Sequence, residues 1–131
     1  MPLIVDGNNV MGARPDGWWR DRAGAAARLA REIGAWAQAE GQDVVVVFDG
    51  RRPDGFPAPP GVDVRFAARS GRDAADDVIA TLVAAAEAPD ALRVVTSDAA
   101  LAARVRAHGA TVTGAGGFRD ALERRADDAG A

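Results

Sequence analysis

The sequence predicts an α/β fold, a mostly parallel sheet with helices on both faces. Two observations carry that expectation. Short apolar runs alternate along the chain with stretches of helical periodicity, and three of those runs end in an aspartate.

The apolar runs are "PLIV" at 2–5, "DVVVVF" at 43–48, "LRVVT" at 92–96 and the weaker "ATVT" at 110–113. Continuous β-branched runs of this kind suit strands covered on both faces. A fifth segment, "VDVRF" at 62–66, alternates as an edge strand does. Between the runs lie helical stretches. Residues 21–40 place Leu29, Ile33 and Trp36 on one face, with Gly41 as a stop. Residues 74–87 carry Val78, Ile79, Leu82 and Val83 ahead of Pro89, and residues 99–107 carry Leu101 and Val105 ahead of His108-Gly109. His108 is expected as a C-terminal helix cap. A short last helix is expected over 118–126, followed by a frayed tail at 127–131. The segment "GRRPDGFPAPPG" at 50–61 is too rich in Pro and Gly for regular structure and reads as a mobile surface loop.

At 131 residues the chain makes one domain, residues 1–126, with enough length for a sizeable core. Absence of Cys excludes disulfides, zinc–thiolate sites and thiol nucleophiles. No apolar run reaches membrane-spanning length, and the start of the chain lacks a signal-peptide pattern, so a cytoplasmic location is expected. The net charge of −3 does not by itself mark a nucleic-acid binder. All 16 basic residues are Arg, and Arg51, Arg52, Arg65, Arg69 and Arg72 fall within residues 51–72. Guanidinium forks suit phosphate oxygens, although a solvated charged surface accounts for any one of them equally well.

The strand ends are the informative positions. "LIV" runs into Asp6, "VVVF" into Asp49 and "VVTS" into Asp98. Parallel strands end at one edge, which is where α/β proteins bind ligands. Each aspartate has an ordinary explanation: Asp6-Gly7 and Asp49-Gly50 are turn dipeptides, and Asp98 can cap a helix. Three at equivalent positions favour a shared site, because crowded carboxylates raise one another's pKa and a divalent cation relieves the repulsion. On the 74–87 helix, Asp76 lies about 90° from the centre of the apolar face, so it can lean over the same edge. Asp73 suits the helix cap, and Asp77 stands between a solvated acid and a supporting role. An oxygen-only set suits Mg²⁺ or Mn²⁺, cations that bind phosphate oxygens and promote phosphodiester hydrolysis.

Together "VDGNN", "VFDG", "ADDVI" and "VVTSDAALAARVRAHGA" resemble the NYN branch of the PIN-like ribonucleases, and its YacP-like group in particular, from residue 3 to about residue 117. The resemblance implies a three-layer α/β/α fold with strand order 3-2-1-4-5 and Mg²⁺- or Mn²⁺-dependent RNA cleavage. It implies that Asp6, Asp76 and Asp98 bind metal, that Asn9 is the amide of the site, and that Asp49 is a supporting acid. Asn8 stands where YacP-like proteins often show Tyr and reads as a turn residue. Ala102 stands where some relatives carry a further acid, so the number of metal ions stays open.

The leading expectation is therefore a metal-dependent endoribonuclease with RNA as its partner and a homodimer as its candidate assembly. Arg69 and Arg72 would bind the RNA backbone. Trp18 or Trp19 could stack a base, although docking onto the core is the more ordinary role of such a pair. A non-catalytic RNA-binding adaptor is the alternative. A phosphatase or nucleotide-binding domain is disfavoured, since "GAGG" at 114–117 has neither the P-loop Lys nor the dinucleotide-binding spacing.

Overall fold

The computed structural model describes residues 2–68, 71 and 73–130, with side chains to 127. Its strands are β1 (Leu3–Asp6), β2 (Val44–Phe48), β3 (Val62–Phe66), β4 (Arg93–Val95) and β5 (Thr111–Thr113). Among the described residues these form one five-stranded sheet of order β3-β2-β1-β4-β5, parallel at every pairing. The helices are α1 (Gly7–Met11), α2 (Arg22–Glu40), α3 (Ala74–Ala85), α4 (Ala99–Ala107) and α5 (Ala115–Gly130).

Two cores follow from the alternation of side chains along the strands. Leu3, Val5, Val44, Val46 and Phe48 face α1, α2 and α5, packing on Val10, Leu29, Ile33, Phe118 and Leu122. Ile4, Val47 and Val94 point the other way and meet Ile79 and Val83 of α3 and Leu101 and Val105 of α4. The result is the three-layer α/β/α arrangement. Because every β-to-α connection leaves the same sheet edge, α1, α3 and α4 all start above the strand C-termini.

The strand and α2–α4 expectations hold to within a residue or two, and His108 occupies the C-cap of α4 as expected. Three readings need correction. "DGNN" is no free turn, since a helix starts directly at Gly7. Five residues are too few to display a helical period, which is why the sequence concealed it. The last helix spans Ala115–Gly130, longer than the expected 118–126. Its first turn includes Gly116 and Gly117, poor helix formers, but it is anchored where the Ala115 N–H donates to Ser97 Oγ at 2.8 Å. Arg14 pairs with Asp120 and Glu123, and Arg119 pairs with Asp16, tying the helix to the segment after α1. Finally, the 50–61 loop is pinned. Phe56 is buried against Phe48 and Phe66, Arg52 Nη1 donates to the Val64 carbonyl, and Pro59 packs close to Gly34 of α2.

Candidate active site

The end of β1 lies at the topological switch point, with β2 on one side and β4 on the other. Asp6 is its last residue and only 4% exposed. A carboxylate so placed needs partners. Asp6 Oδ2 accepts a hydrogen bond from Thr96 Oγ1 at 2.9 Å, across the switch point. Thr96, 2% exposed, also accepts from the Asp98 N–H at 3.1 Å. The Asp98 carboxylate in turn accepts from the Leu101 N–H at 3.0 Å and caps α4. One oxygen of Asp98 is thereby committed to the helix, so the ordinary capping role is real.

The next residues stitch the neighbouring strands to β1. Asn8 Oδ1 accepts the Asp49 N–H at 2.9 Å, and Asn9 Oδ1 accepts the Ser97 N–H at 2.7 Å. The two asparagines thus reach to opposite sides, one to the end of β2 and one to the end of β4. Asn8 is a cross-link between strand ends and not a turn residue. Its partner is 41 positions away in sequence, and Asn9's is 88 away, so no local pattern could have revealed either. Gly7 makes the sharp start of α1 possible, for a Cβ there would sit 2.6 Å from two ring carbons of Phe48.

Burial pushes the Asp6 carboxyl up to about 6, opposed by the Thr96 hydroxyl and raised further by the charge of Asp76; the nearby Asn9 N–H lowers it and Asp98 raises it. Asp76, 8% exposed in the first turn of α3, is also raised, first by burial and then by the charges of Asp98 and Asp73. Asp6, Asp76 and Asp98 therefore feel one another at one sheet edge. Among the described residues, however, no three His, Cys, Asp or Glu side chains form a ready-made metal cluster. The donor chemistry still fits a hard cation: the carboxylates are mutually repulsive, all donors are oxygen, and no thiol or imidazole intrudes. Mg²⁺ is usually held by one or two carboxylates, with water and substrate phosphate completing its shell, and this open arrangement suits that mode.

The other expected residues fall as follows. Asp49 is half-buried at the end of β2, beside Asn8. Asp73 occupies the N-cap position of α3 without a side-chain cap bond. Asp77 pairs with Arg104 at 3.1 Å. Trp18 packs partly onto the core, while Trp19 stays 49% exposed. Arg69 and Arg72 lie outside the described residues. Sequence reasoning missed Thr96, because a threonine in a β-branched run looks like strand filler.

The sequence matches the model of the family described as "YacP-like NYN domain" over residues 3–130. No curated protein matches it. Among solved structures it is similar to the crystal structure of Rae1 (YacP) from Bacillus subtilis, at 26% identity and a TM-score of 0.74. It is also similar to that of a tryptophan-to-leucine mutant of the same protein, at 27% and 0.74. Each alignment covers 98% of this chain and 79% of the other.

Proposed function

This chain belongs to the YacP-like NYN domain family, and from that premise we propose that it is a Mg²⁺- or Mn²⁺-dependent endoribonuclease. The family has a PIN-like nuclease fold, which supports ribonuclease-type activity. The single observation that carries the finer reading is the burial of two carboxylates, Asp6 and Asp76, at the sheet edge that also carries Asp98. Asp98 also serves the fold by capping α4, but burying the Asp6 carboxylate beside Asp76 adds no stability to the sheet edge.

In this reading Asp6 and Asp98 supply charge from adjacent strand ends, and Asp76 adds charge from α3. Thr96 holds one oxygen of the Asp6 carboxylate and leaves the other for a cation. Asn9, its Oδ1 committed to Ser97, keeps its NH₂ group to donate to a phosphate oxygen or a carboxylate. Asp49, fixed by Asn8, is a supporting acid. A bound divalent cation would acidify a water and stabilise charge developing on the scissile phosphate. Arg69 and Arg72 are proposed as contacts to the RNA backbone, the source of salt-dependent affinity. No helix of the described chain is long and apolar enough to cross a membrane.

The deciding assay compares Mn²⁺-dependent cleavage of a partly single-stranded RNA pool by wild type and Asp6→Asn. Loss of cleavage by orders of magnitude, with RNA binding retained in EDTA, supports the nuclease. Equal cleavage by both removes Asp6 from the mechanism. RNA binding without cleavage by the wild type leaves the adaptor.

A further inference from the structure

A cleft of about 230 Å³ opens at the same sheet edge, on the β2 side of Asp6. Its floor is apolar, made by Met11, Phe48 and Phe66, while Asn8, Asp49, Arg22 and Arg51 supply its polar lining. We propose that this cleft receives one unpaired nucleobase of the RNA strand, which then runs outward over Trp18 and Trp19. The proposal rests on the RNA-binding reading above and adds where, and in what form, the strand is held.

Size and charge select the occupant. Pockets for drug-sized ligands run to about 300–1,000 Å³, so this one suits a single ring system and not a whole nucleotide. Arg22 and Arg51 attract phosphate, whereas the Asp49 carboxylate repels it and the apolar floor offers it no donors, which favours a ring inside the cavity with its phosphates outside. A neutral, flat ring with N–H donors matches instead: Asp49 accepts, and Asn8 donates through its NH₂ group, its Oδ1 being taken by the Asp49 N–H. Phe66, half-buried and stacked on Phe48 with centroids 5.4 Å apart, provides apolar surface for the ring.

Two cations line the cleft: Arg22, the first residue of the 19-residue α2, and Arg51, shortly after β2. These cations suit the phosphates that flank an inserted base. Arg22 also continues the surface beyond the cleft, its guanidinium 5.3 Å from the Trp18 ring. Trp18 meets Trp19 edge to face at 5.9 Å, and Arg20 lies 5.9 Å from the Trp19 ring. Aromatic faces alternating with cations are how proteins track a single strand. A duplex keeps its bases stacked inside, so it could not fill the cleft.

The test is metal-free binding, which is independent of cleavage. A fluorophore-labelled eight-nucleotide single strand and a base-free ribose-phosphate oligomer of equal length are titrated in EDTA. Ala23, exposed on the cleft wall, is replaced by Phe to fill the cavity. Ala23→Phe should weaken the base-bearing strand about tenfold and leave the base-free oligomer unchanged, whereas Arg22→Ala should weaken both. Wild-type affinity of Ala23→Phe for the base-bearing strand overturns the proposal. A second measurement needs no variant: a nucleoside monophosphate added to wild-type protein should move the amide NMR signals of Ala23, Asp49 and Phe66. Shifts confined to other residues overturn it too. Absence of cleavage by the wild type, or equal cleavage by wild type and Asp6→Asn, with this binding pattern intact would instead count against the nuclease reading alone.

Discussion

The Thr96 hydroxyl donates to Asp6 Oδ2 at 2.9 Å, joining the ends of β1 and β4 at the switch point of the sheet. It also accepts the Asp98 N–H at 3.1 Å. One buried hydroxyl thus sets the position of one proposed ligand and of the backbone that carries another. Thr96→Val keeps the shape and removes both bonds, leaving a partly buried N–H and a buried carboxylate short of a partner. The expected cost is about 1–3 kcal/mol, read by urea unfolding. The Asp6 carboxyl should titrate still higher, since the hydroxyl holds it down. An unchanged unfolding midpoint together with an unchanged Asp6 titration by carboxyl NMR would count against this role.

Asp6 makes stability depend on pH in an unusual direction. Its folded pKa of about 6 lies above the ordinary 3.8, so the folded state holds the proton more tightly. Stability contributed by the protonated form is fully present below about pH 4 and is lost as pH rises through 6. This one group should lower metal-free stability by on the order of 2–3 kcal/mol across that interval. Asp6→Asn keeps an acceptor for Thr96 and carries no charge. In EDTA its melting temperature should match or exceed the wild type's at pH 7.5, and the difference should shrink at pH 4.5. A variant that melts well below the wild type at pH 7.5 would contradict the account.

Divalent cations should reverse that penalty. A ligand that binds only the folded state, at a hundredfold its dissociation constant, stabilises by about 2.7 kcal/mol. Mg²⁺ or Mn²⁺ at millimolar concentration should therefore raise the wild-type melting temperature and raise that of Asp6→Asn much less. A wild-type melting curve indifferent to both metals would mean that the acidic edge does not hold a cation.

Gly7 carries a packing prediction. A methyl group at this position would meet the Phe48 ring at 2.6 Å and the Val47 carbonyl oxygen at 3.0 Å. Phe48 is 2% exposed and touches Phe56 and Phe66, which limits its retreat. Gly7→Ala should cost about 1–3 kcal/mol from overpacking. Gly116→Ala is the control: nothing lies within 4 Å of its Cβ position in α5, and it should be neutral or stabilising by up to about 1 kcal/mol. Guanidinium unfolding of the two variants separates the effects, and equal stability of both would refute the packing argument.

By itself the sequence determined the five strands, α2, α3 and α4, and the three aspartates at the strand ends. Strand runs such as "VVVVF" and the helical period of 21–40 are local signals, and parallel strands must bring Asp6, Asp49 and Asp98 to one side wherever the strands sit. The pairing order was reached only through family resemblance, because nothing local says which strand lies beside β1. Only the tertiary structure decided what the polar residues touch. Thr96 reads as strand filler until it meets Asp6, 90 positions away. Asn8 reads as a turn residue until it reaches Asp49, and nothing local shows that Asn9, expected as the amide of the site, reaches Ser97. Phe56 sits in a Pro-Gly segment that looked mobile until Phe48 and Phe66 enclosed it. Helical and strand periods are written in neighbouring residues, whereas burial and hydrogen-bond partners arise from contacts between segments far apart in the chain, and those exist only once the sheet has closed.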